Sequence, residues 1–144
     1  MTLYILCGIP GCGKTTWAHE HHPEAVIVST DKIRGELYGD ERVQGEGLDV
    51  FAIAHRRVRA ALKQGSDVVF DATNIRKKDR ELLKSRVADL HPRIVAVAFK
   101  TLVKDCMKRN EERNRVVPES VIWRMAKHYT YPMPEDFDEV ITVG

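Results

Sequence analysis

The run GIPGCGKT at residues 8–15 leaves few folds open to this chain of 144 residues. It fits the pattern G-x-x-x-x-G-K-[ST], follows an apolar stretch at residues 3–7 and opens a helix-length segment at 14–21. Glycines permit backbone angles that are closed to other residues, so main-chain N–H groups and the helix N-terminus can surround phosphate oxygens. The run therefore predicts a phosphate-binding loop for a nucleotide.

The side chains of this loop have expected partners of their own. Lys14 is expected to reach the β- and γ-phosphates, and the Thr15 hydroxyl is expected to help hold Mg²⁺. ATP or another nucleoside triphosphate, together with Mg²⁺, is the expected cofactor set. The residues expected to bind the nucleotide in this part of the chain are Gly8, Gly11, Cys12, Gly13, Lys14, Thr15 and Thr16.

Apolar strand-length runs alternate with helix-length segments along the chain. Strands are predicted at residues 3–7, 25–29, 68–71, 94–99 and 140–143, and helices at 14–21, 48–64, 76–90, 102–113 and about 118–129. Near-continuous hydrophobic strands separated by helices indicate a parallel sheet that is covered on both faces. We expect one α/β P-loop NTPase domain over residues 1–144, a three-layer αβα fold of about five strands, with its site residues just after the strands.

Two helices and one helix end carry more detailed expectations. One face of the helix at 76–90 is predicted to hold Leu82, Leu83, Val87 and Leu90. The inward side of the helix at 102–113 is predicted to hold Leu102, Val103, Cys106 and Met107. Gly65 is the expected C-cap of the helix at 48–64.

Composition and charge narrow the class of protein and of partner. The chain has 43% hydrophobic residues, no apolar run that would span a bilayer, no basic leader, and three cysteines without metal-ligand spacing. We therefore expect free thiols, a cytoplasmic location and no membrane contact. Residues 72–115 hold 13 Lys and Arg against 6 Asp and Glu, a net charge of +7. This excess suits an anionic partner or, equally, a solvated helix face.

Acidic residues follow the second and third predicted strands. Asp31 would project toward the γ-phosphate, where a carboxylate can take or orient the proton of an acceptor hydroxyl. Arg34 would share its helical face and could neutralise the phosphoryl group or grip an acceptor phosphate. Asp31 is equally suited to be a helix N-cap. Asp71 stands at the Walker B position and would order Mg²⁺, while Thr73 and Asn74 would either bind substrate or cap a helix.

A lid is expected at about residues 104–118, after the fourth strand. Arg109 and Arg113 are four residues apart, so they would project from one face of a helix toward the donor phosphates. The alternative is a solvated charged helix in which Glu111 and Glu112 pair locally with basic neighbours.

Taken in order, these motifs resemble the kinase domain of phage and bacterial polynucleotide 5′-hydroxyl kinases over about residues 3–130. The motifs are the loop at 8–15, Asp31-x-x-Arg34, Asp71-x-Thr73-Asn74, Lys108-Arg109-Asn110-x-x-Arg113, and Val117-Pro118 before a helix. The resemblance implies that Lys14 and Thr15 bind the donor phosphates and the metal, and that Asp31 is the general base. It further implies that Arg34 contacts the acceptor or the transferred phosphate, that Arg113 is the lid arginine supported by Arg109, and that the site is lined by Asp71, Thr73 and Asn74.

The resemblance also implies an activity: transfer of the ATP γ-phosphoryl group to the 5′-hydroxyl end of DNA or RNA, with nucleic acid as the partner. Phage kinases that act on 5-hydroxymethyluracil in DNA, small-molecule kinases and zeta-toxin-like sugar-nucleotide kinases look similar. A hydroxymethylated base or a small-molecule hydroxyl is therefore the alternative acceptor. The non-enzymatic alternative is a nucleotide-dependent binding switch, for which slow hydrolysis and no labelled acceptor are expected.

Overall fold

Five parallel strands form the sheet around which this chain is built. The computed structural model describes residues 1–39, 47–112 and 117–144, with the side chains of 47–49 excepted. The strands in these ranges are β1 (Thr2–Cys7), β2 (Val26–Ser29), β3 (Val68–Asp71), β4 (Arg93–Phe99) and β5 (Glu139–Val143). Their spatial order is β2-β3-β1-β4-β5, and each neighbouring pair is parallel. The loop at residues 8–15 therefore leaves the central strand at the same sheet edge where β2 and β3 end.

Helices cover both faces of this sheet. In the described ranges they are α1 (Lys14–His21), α2 (Thr30–Tyr38), α3 (Gly47–Lys63), α4 (Lys77–Val87), α5 (Val103–Glu111) and α6 (Glu119–His128). Short 3₁₀ turns lie at Ala88–Leu90 and Pro134–Asp136. None of the helices in the described part of the chain has both the length and the apolar character needed to cross a membrane.

The alternation of side chains along β1 divides the core into two layers. Leu3 and Ile5 point to the face that also holds Val58 of α3 and Leu83 of α4. Leu6 belongs to the opposite cluster, with contributions from α1, α5 and α6 through Trp17, Cys106 and Ile122. Because both sheet faces are covered, its strands read as near-continuous apolar runs. The predicted three-layer αβα fold is confirmed.

Several sequence expectations about single elements are confirmed. Gly65 follows the end of α3 with φ of 84°, and its N–H donates to the Leu62 carbonyl as in a helix C-terminal turn. Pro118 is the N-cap of α6, and β5 is an edge strand. Cys7, Cys12 and Cys106 are free thiols, all of them buried.

Two side-chain expectations are wrong, and α2, the helix on which Asp31 and Arg34 are expected to share a face, has no predicted bounds. Leu82 is 46% exposed because consecutive helical residues differ by about 100°, so Leu82 and Leu83 cannot both face the sheet. Leu102 is 61% exposed because it is the N-cap of α5 and lies outside the helical period. The α2 segment is short and polar, so it carries little periodic signal.

Candidate active site

The loop at residues 8–15 connects β1 to α1 through two glycines in the left-handed region. Gly11 has φ of 82° and Gly13 has φ of 94°. A Cβ at Gly11 would lie 2.3 Å from the Cys106 carbonyl oxygen, because α5 packs directly on the loop. Gly13 is the N-cap of α1, and no side chain in the described ranges caps that helix. The loop thus presents backbone donors at a helix N-terminus, an arrangement that holds phosphate oxygens.

Lys14, the first residue of α1, is buried against the loop. Its Nζ donates hydrogen bonds to the carbonyl oxygens of Gly8 at 2.9 Å and Ile9 at 3.1 Å, and Cys12 Sγ lies 3.6 Å away. Among the described residues no carboxylate forms a salt bridge with this ammonium group. A bound phosphate would supply the countercharge that the buried lysine lacks.

Thr15 and Asp71 meet at the end of β3. The Thr15 hydroxyl donates a hydrogen bond of 2.7 Å to Oδ2 of Asp71, which is buried and lies beside Ser29 of β2. A hydroxyl and a carboxylate side by side suit Mg²⁺, which takes few protein oxygens and completes its shell with water and phosphates. The described ranges hold no cluster of three or more His, Cys, Asp or Glu for a metal. The pair therefore fits a metal that is shared with a nucleotide.

Asp31 and Arg34 form an ion pair on the first turn of α2. Nη1 of Arg34 donates to Oδ1 of Asp31 at 3.0 Å. The N-cap alternative for Asp31 is not realised, because Ser29 occupies the cap and its Oγ accepts from the Lys32 N–H. Arg34 is buried, and its Nε has no hydrogen-bond partner among the described residues. Both side chains line the same cleft as the phosphate loop.

Thr73 and Asn74, predicted together, have different surroundings. Thr73 lines the cleft, and its carbonyl oxygen accepts a hydrogen bond of 2.8 Å from the Gly8 N–H. Asn74 does not line the cleft: it is buried, and its amide nitrogen donates to the Leu6 carbonyl at 2.7 Å. Neither residue caps a helix, because Arg76 is the N-cap of α4. The expectation that Asn74 contacts the substrate is therefore corrected: its side-chain amide links two segments of backbone instead.

Arg109 reaches from α5 to the phosphate loop. A Cβ at Gly13 would lie 3.0 Å from Nη1 of Arg109, which also lines the cleft. The predicted lid partner, Arg113, lies outside the described residues. Asn110 has no predicted role, yet it is buried and exchanges two hydrogen bonds with the backbone of Val117, at 2.7 and 2.9 Å. This exchange ties the end of α5 to the start of α6.

Two thiols and one phenol buried behind the loop are uncharged at neutral pH. Burial raises the pKa of the Cys7 thiol to about 12 and that of Cys106 to about 11. Burial likewise raises the pKa of Tyr129, whose hydroxyl donates to the Cys7 carbonyl oxygen at 2.5 Å. The electrostatics of the cleft are therefore governed by its lysine, arginines and carboxylates.

A cleft of about 720 Å³ brings the predicted site residues together: it is lined by the phosphate loop, Asp31, Arg34, Asp71, Thr73 and Arg109. Its wall also includes side chains that have no site role in the sequence predictions, among them Phe51, Glu112, Val121, Arg124 and Met125. Val121, Arg124 and Met125 follow the i, i+3, i+4 spacing of one helix face, which is a usable signal. Phe51 comes from α3 and carries no local signal, because packing of α3 against α2 brings it to the cleft.

Comparison with known proteins gives similarities to kinases. The chain is 27% identical over 139 residues to L-seryl-tRNA(Sec) kinase of Methanococcus maripaludis, with coverage of 90% of this chain and 53% of that protein. It thus spans about half the length of this curated relative. Among solved structures, a chain of the Pnkp1/Rnl/Hen1 RNA repair complex matches with a TM-score of 0.77 and 23% identity, covering 88% of this chain and 43% of that one. A gluconokinase from Sinorhizobium meliloti matches with a TM-score of 0.67 and 14% identity, covering 99% and 81%.

The family assignment follows from the extent of one match. The model of the AAA domain family matches residues 3–132, which include the phosphate loop and the described elements from β1 to α6. The likeness to these solved structures is one of fold, and the gluconokinase among them shares the αβα architecture described above. This chain belongs to the AAA domain family and has a P-loop kinase fold.

Proposed function

We propose that this protein is a Mg²⁺-dependent kinase that transfers the γ-phosphoryl group of ATP to a hydroxyl, namely the 5′-hydroxyl end of a polynucleotide. One observation carries the proposal: a single cleft holds the phosphate loop, the Thr15–Asp71 pair and the Asp31–Arg34 pair. The first two features suit a metal-bound triphosphate, and the third suits an alcohol beside it. A binding switch would have no use for the third feature.

The reaction is an in-line displacement at the γ-phosphorus. The acceptor oxygen forms a bond to phosphorus while the bond to the β–γ bridging oxygen breaks, which leaves ADP. Asp31 accepts the proton of the hydroxyl, and Arg34 orients its carboxylate. Lys14 and Arg109 stabilise the negative charge on the phosphates, and Arg113 is proposed to join them. Thr15 and Asp71 would hold Mg²⁺, which supplies charge neutralisation on the phosphate oxygens.

The part of the cleft wall that lies outside the phosphate loop favours a nucleotide-like acceptor. Arg34 and Arg124 offer guanidinium groups to a phosphate, while Phe51, Val121 and Met125 offer apolar surface to a base. The RNA-linked substrate named for the L-seryl-tRNA(Sec) kinase points the same way. A hydroxymethylated base in DNA and a small-molecule hydroxyl, the latter being the substrate class of the gluconokinase, are the alternatives.

Incubation with γ-labelled ATP, Mg²⁺ and one acceptor at a time tests the proposal. The acceptors are 5′-hydroxyl DNA and RNA oligonucleotides, the same oligonucleotides with 5′-phosphates, a duplex with internal 5-hydroxymethyluracil, seryl-tRNA, free nucleosides and gluconate. We expect label only on ends that carry a 5′-hydroxyl, and none with the Lys14→Ala variant. Label on another acceptor keeps the chemistry and replaces the substrate. Hydrolysis without any labelled acceptor contradicts the proposal.

A further inference from the structure

The α4 helix buries an arginine where its apolar stripe predicts a hydrophobic residue. Arg80 precedes Leu83 and Val87 on the buried face of α4 and is only 2% exposed. Its Nη1 donates a hydrogen bond of 2.8 Å to the Asn74 carbonyl oxygen, while its Nε has no partner. Among the described residues no carboxylate neutralises it. A buried, unpaired cation costs stability, so helix packing alone does not account for it.

The residue that Arg80 holds is itself unusual. Asn74 has φ of 45°, a left-handed conformation that few residues other than Gly and Asn adopt readily. Its amide nitrogen donates to the Leu6 carbonyl of β1 at 2.7 Å and also lies 3.4 Å from the Ala72 carbonyl oxygen. Arg80, Asn74 and the Leu6 carbonyl thus form one buried chain of hydrogen bonds from α4 to the central strand.

This series of hydrogen bonds begins where the pairing between β1 and β3 ends. Register between β1 and β3 runs from Leu3–Val68 to Ile5–Phe70. Beyond that point β1 runs through Cys7 into the phosphate loop, and β3 ends at Asp71. Besides the Thr15–Asp71 contact itself, two hydrogen bonds link the two continuations: the Asn74 amide to the Leu6 carbonyl and the Gly8 N–H to the Thr73 carbonyl. The spacing between the phosphate loop and Asp71 depends on these links.

We propose that Arg80 and Asn74 are positioning residues that set the Asp71 carboxylate against Thr15 and the phosphate loop, and so set the affinity for a Mg²⁺–nucleotide complex. This inference rests on the nucleotide site of the proposed function. Neither residue lines the cleft. They act through the backbone between Leu6 and Asn74, in the way that partners of metal ligands fix ligand orientation in metal sites.

Titration of ADP binding at a series of Mg²⁺ concentrations, and in EDTA, measures this coupling without requiring turnover. Four variants are compared with the wild type, and urea unfolding is recorded for each. Arg80→Met keeps the side-chain volume and removes the hydrogen bond to Asn74. Arg80→Lys keeps a donor. Asn74→Gly keeps the positive φ and removes the amide. Leu83→Ala is the control, since Leu83 shares the buried face of α4 but its apolar side chain forms none of these hydrogen bonds.

In Arg80→Met and Asn74→Gly, Mg²⁺ should strengthen ADP binding only at higher concentrations. We expect the Mg²⁺ concentration that gives half of the full increase in ADP affinity to rise by about tenfold or more, with ADP binding in EDTA unchanged. Arg80→Lys should restore most of the Mg²⁺ response. Leu83→Ala should lose stability and keep a wild-type Mg²⁺ response. A wild-type Mg²⁺ response in Arg80→Met and Asn74→Gly overturns the positioning role and leaves the proposed function standing. A wild type whose ADP affinity ignores Mg²⁺ overturns the inference, and a wild type that binds no ADP contradicts the nucleotide site and, with it, the proposed function.

Discussion

At the scale of single residues, the loop glycines show why the motif tolerates little change. Gly11→Ala would force a Cβ into a left-handed conformation and to within 2.3 Å of the Cys106 carbonyl. We expect the free energy of unfolding to fall by about 2–3 kcal/mol, about 1 from the backbone and the rest from the clash. Gly65→Ala is the matched control: it has φ of 84° but no atom within 4 Å, so it should cost only about 1 kcal/mol. Equal losses by urea unfolding would show that the contact with α5 is unimportant.

His55 gives a residue-scale prediction about pH. Burial, with a smaller contribution from Arg86, lowers the pKa of His55 to about 4. Its Nδ1 lies 2.7 Å from Nη1 of Arg86, so the neutral ring is the acceptor. The unfolded state protonates the His55 ring near pH 6.5 and the folded state only near pH 4. The contribution of the neutral ring to the free energy of unfolding is therefore complete above pH 6.5. It is lost as the pH falls, by about 2 kcal/mol between pH 6.5 and 4.5.

The His55→Gln variant isolates this effect, because glutamine keeps an acceptor for Arg86 and does not titrate. Urea unfolding at both pH values should give a smaller loss of stability for the variant than for the wild type. An identical loss in the two proteins would assign the pH dependence to other groups.

Contacts between site residues could be predicted where strand ends and helical spacing bring the side chains together. They could not be predicted where a side chain is held by a distant backbone group. The Thr15–Asp71 contact and the Asp31–Arg34 pair follow from strand ends and helical spacing. The position of Asn74 does not, because its partner is a carbonyl of β1 that is 68 residues away in sequence. The N-cap of α2 does not follow from the sequence either, because the sequence favours Asp31 for that position and the structure places Ser29 there.

At the scale of elements, the joint between α5 and α6 depends on one side chain. Asn110→Ala would leave the N–H and carbonyl groups of Val117 without their partner in a buried place. We expect the free energy of unfolding to fall by about 2 kcal/mol or more. Asn110→Asp keeps the acceptor and loses the donor, so its loss should differ from that of the alanine variant. Urea unfolding measures both, and an alanine variant as stable as the wild type would contradict this account of the joint.

Periodicity predicted the long helices well and their exact faces less well. The α3 and α6 helices carry strong apolar stripes, so their existence and buried sides could be read from the sequence. Leu82 and Leu102 show the limit, because one neighbours the buried stripe and the other precedes its helix. The spacing of Val121, Arg124 and Met125 marks one face of α6, but the sequence does not show that this face lines the cleft, because that depends on the tertiary docking of α6 against α5.

At the scale of the whole molecule, the parallel sheet explains why distant motifs meet. The phosphate loop, α2 and Asp71 follow the carboxyl ends of β1, β2 and β3, and these three strands are neighbours in the sheet. The sequence predicts parallel strands and places each motif after one of them. It does not predict the order β2-β3-β1-β4-β5, because strand order depends on how the crossover helices pack.

Charge at the cleft gives a whole-molecule prediction for a nucleic-acid acceptor. The KM for a 5′-hydroxyl oligonucleotide should rise steeply with salt, since phosphate contacts release counterions. Arg124→Gln should reduce the logarithmic salt slope by about 1. Lys127→Gln, on the same helix but outside the cleft, should leave the slope unchanged. Equal slopes for Arg124→Gln and the wild type would exclude a phosphate contact at Arg124.

The position of Asp31 beside the phosphate loop is the claim on which the rest depends, and the Asp31→Asn variant tests it most directly. Asparagine keeps an acceptor for Arg34 and cannot take up the proton of the acceptor hydroxyl. Transfer of label from ATP to the acceptor and binding of ADP are measured on the same preparation. We predict a loss of transfer of about 100-fold or more with ADP affinity unchanged. Transfer at the wild-type rate would contradict the account.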